Sequence, residues 1–182
     1  MFVGRGVPEK GAQVLIDALP RVRAHFHDTK LIICGGGYRQ HLVDQAFAVG
    51  MGQHVYFTGF IPDAALLKMY KSADIACFPS IYEPFGIVAL EAMAAHTPVV
   101  VSDAGGLPEV VEADVSGTVT WAGSADSLAW GILRTLHNPD FGKWMASNAY
   151  ERAVKLFHWD LIADQTCGTY SRVWGEYSTS IW

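Results

Sequence analysis

Short, uniformly apolar runs alternate along the chain with longer amphipathic stretches. Met1–Val3, Leu31–Cys34, Val55–Thr58, Ile75–Phe78, Val99–Val101 and Thr118–Trp121 read as strands. Because they are apolar runs rather than an in–out alternation, they fit strands covered on both faces. Between them, Gly11–His25 puts Val14, Leu15, Ala18, Leu19 and Val22 on one helical face. Arg39–Val49, Ala64–Ser72 and a segment from about Phe85 to Ala94 are the next helices, with Asp63 the expected N-cap of the second of these. A short helix over Pro108–Glu112 precedes the last strand. Such alternation predicts a parallel sheet with helices on both faces. From Ser124 the pattern changes to three successive helices, Ser124–Leu136, Asp140–Phe157 and Trp159–Tyr177. The expected architecture is therefore α/β, a doubly wound parallel sheet over residues 1–123 with a C-terminal helical extension of the same domain over 124–182.

A chain of 182 residues that is 51% hydrophobic and 17% charged can bury one good core. It has no run of about 18 uncharged apolar residues, so no membrane span is expected. Met1-Phe2-Val3-Gly4-Arg5 enters a strand directly, without the pattern of a signal peptide. The expectation is a piece of a longer, cytoplasmic protein. A net charge of -5 disfavours nucleic acid or an anionic membrane as the main partner. Cys34, Cys77 and Cys167 lack metal-ligand spacing, and Cys34 and Cys77 close apolar runs, as small buried side chains do in a reducing compartment. The seven histidines are scattered, His25 and His27 at a helix end facing water. No metal centre is expected.

The strand exits carry the candidate chemistry. Ile75–Phe78 breaks at Pro79, passes Glu83 and Pro84, and becomes helical, and a strand feeding a helix start is the usual ligand position in such folds. The free N–H groups and partial positive charge there suit a phosphate. Glu91 would lie about 12 Å beyond Glu83 were the whole segment helical. Glu83 could otherwise cap the helix and Glu91 sit on its surface, although the apolar residues around Glu91 predict a largely buried helix in which a charge needs a partner. Arg5 and Lys10, where the first strand opens, can neutralise a diphosphate or be solvated cations. Gly35-Gly36-Gly37 follows a strand without completing a dinucleotide fingerprint, so NAD is not expected. Phe60 and Ile61 can flank a base or pack beneath their loop. Gly105-Gly106 permits a close backbone approach or a tight turn, and Glu109 reads as a structural helix-start residue.

Glu83-Pro84-Phe85-Gly86-Ile87-Val88-Ala89-Leu90-Glu91-Ala92-Met93 resembles the Glu-x7-Glu signature of retaining glycosyltransferases of the glycogen-synthase and phosphatidylinositol-mannosyltransferase type. Gly4-Arg5 followed by Glu9-Lys10-Gly11 resembles that family's phosphate-binding pattern. Gly105-Gly106-Leu107-Pro108-Glu109 resembles its Gly-Gly-x-x-Glu, and Phe157-His158-Trp159 through Ala163 its Phe-x-Trp-x-x-Ile-Ala. The resemblance runs from Phe2 to about Trp174.

The resemblance implies the C-terminal, donor-binding domain of a Rossmann-like (GT-B) enzyme that moves sugar from a nucleotide diphosphate to an acceptor hydroxyl. It implies Glu83, Arg5 and Lys10 as catalytic residues, with Glu83 by the sugar and the cations on the leaving diphosphate. Glu91 would bind ribose, and Phe85, Gly86, Ile87 and Val88 would offer amides to sugar and diphosphate. Ile61, with Phe60, would contact the base and Gly35 would line the nucleotide pocket. It implies no cofactor or metal, an acceptor held mainly by an absent N-terminal domain, and a last helix crossing to that domain with Trp174, Tyr177 and Trp182 at the interface. A nucleotide-sugar 2-epimerase and a non-catalytic binding or assembly domain remain alternatives. One departure is His96, where the family commonly has Gly; a left-handed backbone there costs about 1 kcal/mol.

Overall fold

The computed structural model describes residues 1–180. Six short parallel strands, β1 (Phe2–Val3), β2 (Leu31–Cys34), β3 (Val55–Gly59), β4 (Ala76–Phe78), β5 (Val99–Ser102) and β6 (Thr118–Thr120), form two ladders, β1-β2-β3 and β4-β5-β6. The ladders meet at Met1. The Cys77 amide donates to the Met1 carbonyl at 2.8 Å, and the Met1 nitrogen donates to the Ile75 carbonyl at 2.6 Å. The joined order is β3-β2-β1-β4-β5-β6, which reverses direction between β1 and β4. Ligands of open α/β sheets bind at such a switch point, beyond the carboxyl ends of the strands.

The pleat sends alternate residues to opposite faces. Phe2, Cys77 and Val100 join one core with helices α1 (Ala12–His25), α2 (Gln40–Ala48) and α6 (Ala125–His137). Ala76, Phe78, Val99 and Val101 join the other with α3 (Asp63–Ser72), α4 (Ile87–Ala94), α5 (Leu107–Val110) and α7 (Pro139–Leu156). Burial of both faces explains the uniformly apolar β4 and β5, while β3 at the sheet edge alternates buried Val55 with exposed Tyr56 and Thr58. With helices on both faces, the doubly wound expectation holds. All five apolar residues predicted for the α1 face are buried. The α6 helix starts as read, with Ser124 accepting from the Ser127 amide, and it packs into the first core through Leu128, Ala129 and Ile132. The final helix, α8 (Trp159–Thr179), buries no residue, and Trp174 and Tyr177 are exposed. Trp182, grouped with them in the sequence, lies outside the described residues.

Several local expectations change. Pro62, not Asp63, is the N-cap of α3, and Asp63 is its first helical residue. The fourth helix begins at Ile87 rather than near Phe85, because Gly86 takes a left-handed φ of 106° that breaks the helix before it. The short helix spans Leu107–Val110 and ends before Glu112. His96 does occupy a left-handed conformation, φ 58°, and its ring stacks on Tyr150 with centroids 4.0 Å apart. Cys34 and Cys77 are free and buried; burial pushes the Cys77 thiol up to about 11.

Candidate functional site

Two loops leave the sheet on either side of the switch point and are fastened together. The Glu9 carbonyl accepts from the Ile81 amide at 2.7 Å and the Tyr82 amide at 3.1 Å. Gly11, φ 74°, lies so close to Pro79 that a Cβ there would stand 1.8 Å from the Pro79 oxygen. A third loop supports the second: a Cβ on Gly105, φ 53°, would meet the Glu83 carbonyl oxygen at 2.0 Å, and the Gly106 amide donates to that oxygen at 2.9 Å. The close-approach reading of Gly105-Gly106 is thus realised against the Glu83 backbone.

These contacts place Lys10 and Glu83 together. Lys10 Nζ donates to Glu83 Oε2 at 2.7 Å, and Ser80 Oγ donates to the same oxygen at 3.2 Å. Glu83 is only 6% exposed, so it is a buried, paired carboxylate and not a solvent-facing helix cap. Its Oε1 has no hydrogen bond among the described residues and is not sealed from solvent. One oxygen is therefore held by the protein while the other faces the cleft. Ser80, which the sequence reading passed over, is buried too, and its carbonyl accepts from Ser102 Oγ at 2.6 Å. The only sequence signal for it was its place directly after the strand exit.

The cleft at this point has a volume of about 670 Å3 and is lined by Arg5, Lys10, Glu83, Phe85, Gly86, Ile87 and Val88, among others. Seven of the residues singled out from the sequence therefore meet on one surface. Arg5 is exposed and makes no ion pair among the described residues. At the start of α4 the Ala89 and Leu90 amides both turn back to the Gly86 carbonyl. The Ile87 and Val88 amides precede the first helical bond and point outward with the positive end of the helix. A cation, a second cation held by a carboxylate, and free helix amides suit a multiply charged anion.

The other singled-out residues lie outside this cleft lining. Glu91 was expected on a largely buried helix, but α4 buries Ala89, Ala92 and Met93 and leaves Glu91 exposed, one turn past Ile87. With the helix starting so late, the separation worked out for a fully helical segment does not apply. The Glu91 carboxylate accepts from the Tyr70 hydroxyl at 3.1 Å. Its pKa is raised, chiefly because its tip is partly desolvated against the protein; Asp63 pushes it the same way, and the Tyr70 bond opposes both. Phe60 is 81% exposed and so does not pack beneath its loop; Ile61 beside it is half-buried. The Gly35 amide is committed to the Gly59 carbonyl at 2.9 Å, so it cannot serve a ligand as a donor. Gly35 instead lets β2 pass Gly4, whose oxygen would lie 1.9 Å from a Cβ. Glu109 sits within α5, and its carbonyl accepts from Arg152. Among the described residues no group of three or more His, Cys, Asp and Glu is placed to hold a metal ion, and no helix is long and apolar enough to cross a membrane.

A six-strand sheet of this order, with its cleft at the reversal, defines a Rossmann-like α/β domain. Residues 1–152 match the profile of the family described as glycosyl transferases group 1, and the chain belongs to that family. It is 44% identical over 171 residues to an uncharacterised glycosyltransferase of Methanocaldococcus jannaschii, covering 93% of this chain and 44% of that protein. It is 38% identical over 176 residues to the phosphatidyl-myo-inositol mannosyltransferase of Mycobacterium leprae, covering 95% of this chain and 46% of the relative. Among solved structures, Anabaena HepE in complex with UDP-glucose superposes with a TM-score of 0.84 at 31% identity, over 94% of this chain and 48% of HepE. The chain thus spans about half the length of the curated relatives it matches.

Proposed function

We propose that this chain is the donor-binding half of a retaining glycosyltransferase of the GT-B type, moving a sugar from a nucleotide diphosphate-sugar to an acceptor hydroxyl. The observation that carries the reading is the Lys10–Glu83 pair across the switch point, in one cleft with Arg5 and the open amides of α4. Arg5 and Lys10 take the diphosphate and stabilise the charge that develops on it as the glycosidic bond breaks. Glu83 Oε1 accepts from a hydroxyl of the transferred sugar, and the α4 amides address sugar and phosphate. Glu91 holds the ribose, and Phe60 and Ile61 flank the base. The acceptor hydroxyl attacks from the side the leaving diphosphate departs, so the configuration is kept.

Under this reading side chains and helix amides neutralise the diphosphate, and no metal or cofactor takes part. The acceptor is held mainly by a further domain, against which the uncovered α8 with Trp174 and Tyr177 packs, and the enzyme works in the cytoplasm. The chain alone binds nucleoside diphosphate and transfers little. The UDP-glucose bound to HepE supports a nucleotide-sugar as the class of donor.

Calorimetry with uridine, guanosine and adenosine diphosphates tests the assignment. At least one should bind, and Arg5→Ala and Lys10→Ala should each weaken it about tenfold or more. Affinity unchanged in both variants would sink the reading.

A further inference from the structure

Tyr70 is the largest of the fully buried side chains, 1% exposed, in the core beneath α3 and α4. A phenol in that position is costly unless its oxygen finds a partner. Its hydroxyl faces two acceptors one turn apart on α4: Glu91 Oε2 at 3.1 Å and the Val88 carbonyl at 3.3 Å. The Val88 carbonyl already belongs to the ladder of α4, so the carboxylate is the partner that needs the proton. The ring cannot swing away, because the core encloses it and the Tyr70 carbonyl is tied to Thr97 Oγ1 at 2.7 Å. Glu91 Oε1 makes no hydrogen bond among the described residues.

We propose that Tyr70 is a positioning residue: its hydroxyl fixes the Glu91 carboxylate so that the free oxygen and its lone pairs meet the vicinal hydroxyls of a ribose. This rests on the donor-nucleotide reading above. Glutamate carries three rotatable bonds, and an untethered one surrenders that freedom on binding. One tethered to a buried phenol has surrendered it on folding. With Oε2 held by Tyr70, the lone pairs of Oε1 are the ones left to accept from the ribose hydroxyls. Tyr70 and Asp63 belong to the helix that follows the Phe60-Ile61 loop, so the same rigid element that ends the base side of the site holds the ribose side in register. Burial, the Glu91 charge and their hydrogen bond all raise the Tyr70 pKa, so the hydroxyl stays a donor across the working range.

The test is the ratio of affinities for ribo- and 2′-deoxyribonucleoside diphosphates. Uridine and guanosine diphosphates, each beside its 2′-deoxy form, are titrated calorimetrically into the 182-residue chain. The parent should favour the ribose form. Tyr70→Phe keeps the ring and should narrow that ratio by roughly fivefold, largely through the ribose form. Glu91→Gln should narrow it further, and the double variant should add nothing to Glu91→Gln alone. Glu91→Asp, one methylene too short to keep the Tyr70 contact, should behave like Tyr70→Phe and serves as the second variant if the core substitution melts early. Equal weakening of both ligands in Tyr70→Phe, or an unchanged ratio, would overturn the positioning role while leaving the donor site standing. A parent chain that binds none of the four, nor adenosine diphosphate, overturns both.

Discussion

Lys10 and Glu83, 73 positions apart in the chain, are joined by a 2.7 Å contact that bridges the two loops at the centre of the sheet. The pair sits where β1 and β4 run side by side, so a contact between two side chains also fixes the mutual position of two strand exits. Arg5 lies in the same cleft without such an anchor, and the two cations should respond differently to removal.

Lys10→Ala leaves a buried carboxylate with Ser80 alone and should cost about 1–3 kcal/mol in a denaturant melt. Adding Glu83→Gln should return most of that stability without returning nucleotide affinity. Arg5→Ala, removing an exposed cation without an ion pair among the described residues, should leave stability within about 0.5 kcal/mol of the parent while weakening nucleotide binding.

Glu91 has a raised pKa in the fold, so the folded state disfavours its charged form. Its contribution to stability is fullest below the pKa of the unfolded glutamate and is lost as pH rises through the folded value. Glu91→Gln should therefore melt at a higher temperature than the parent at pH 7, with the advantage shrinking as pH falls through the folded value and gone below about pH 4.3. The reverse trend in paired thermal melts would contradict the assigned desolvation. A gain in stability together with lost ribose binding is the pattern expected of a ligand group.

Gly11 and Gly105 hold the loops in contact. Gly11→Ala and Gly105→Ala each force a Cβ to within 2.0 Å or less of a backbone oxygen and should cost roughly 3 kcal/mol or more, with nucleotide binding lost as the Glu83 loop shifts. Gly36→Ala meets nothing within 4 Å and should be close to neutral. Melts of the three variants make the comparison.

His96→Gly relieves a left-handed backbone worth about 1–2 kcal/mol, loses a ring stacked on Tyr150 worth about 0.5–1.5 kcal/mol, and adds freedom to the unfolded chain worth about 0.5–1 kcal/mol. The terms nearly cancel, so the melting temperature should barely move. A large stabilisation would show that the stack on Tyr150 contributes little.

The pattern of apolar runs carried the fold class, because strands covered on both faces must be apolar throughout, and the α1 face could be read residue by residue. The motif around Glu83 and the pair Arg5 and Lys10 could be named from the chain, and they do line one cleft. Less legible was anything set by a single backbone angle. The late start of α4 depends on the left-handed Gly86, the N-cap of α3 falls to Pro62 beside the expected Asp63, and the exposure of Glu91 follows from which face α4 turns inward. Nor does anything in the sequence show the Gly35 amide meeting the Gly59 carbonyl.

The segment from Phe78 to Ala94, read alone, offered one carboxylate at a helix mouth, Glu83, and one along the helix, Glu91, and the sequence determined which residue types would stand at the strand exits. Local propensity and hydrophobic period act over a few residues, and those few residues decided strands, helices and motifs. The tertiary structure decided their partners: Glu83 with Lys10 and Ser80, Glu91 with Tyr70, Gly105 against the Glu83 backbone. Lys10 lies 73 positions from Glu83 and reaches it because β1 and β4 run side by side at the reversal of strand order. Tyr70 and Gly105 come instead from the helix before and the loop after, brought in by helix packing and by the β4–β5 pairing.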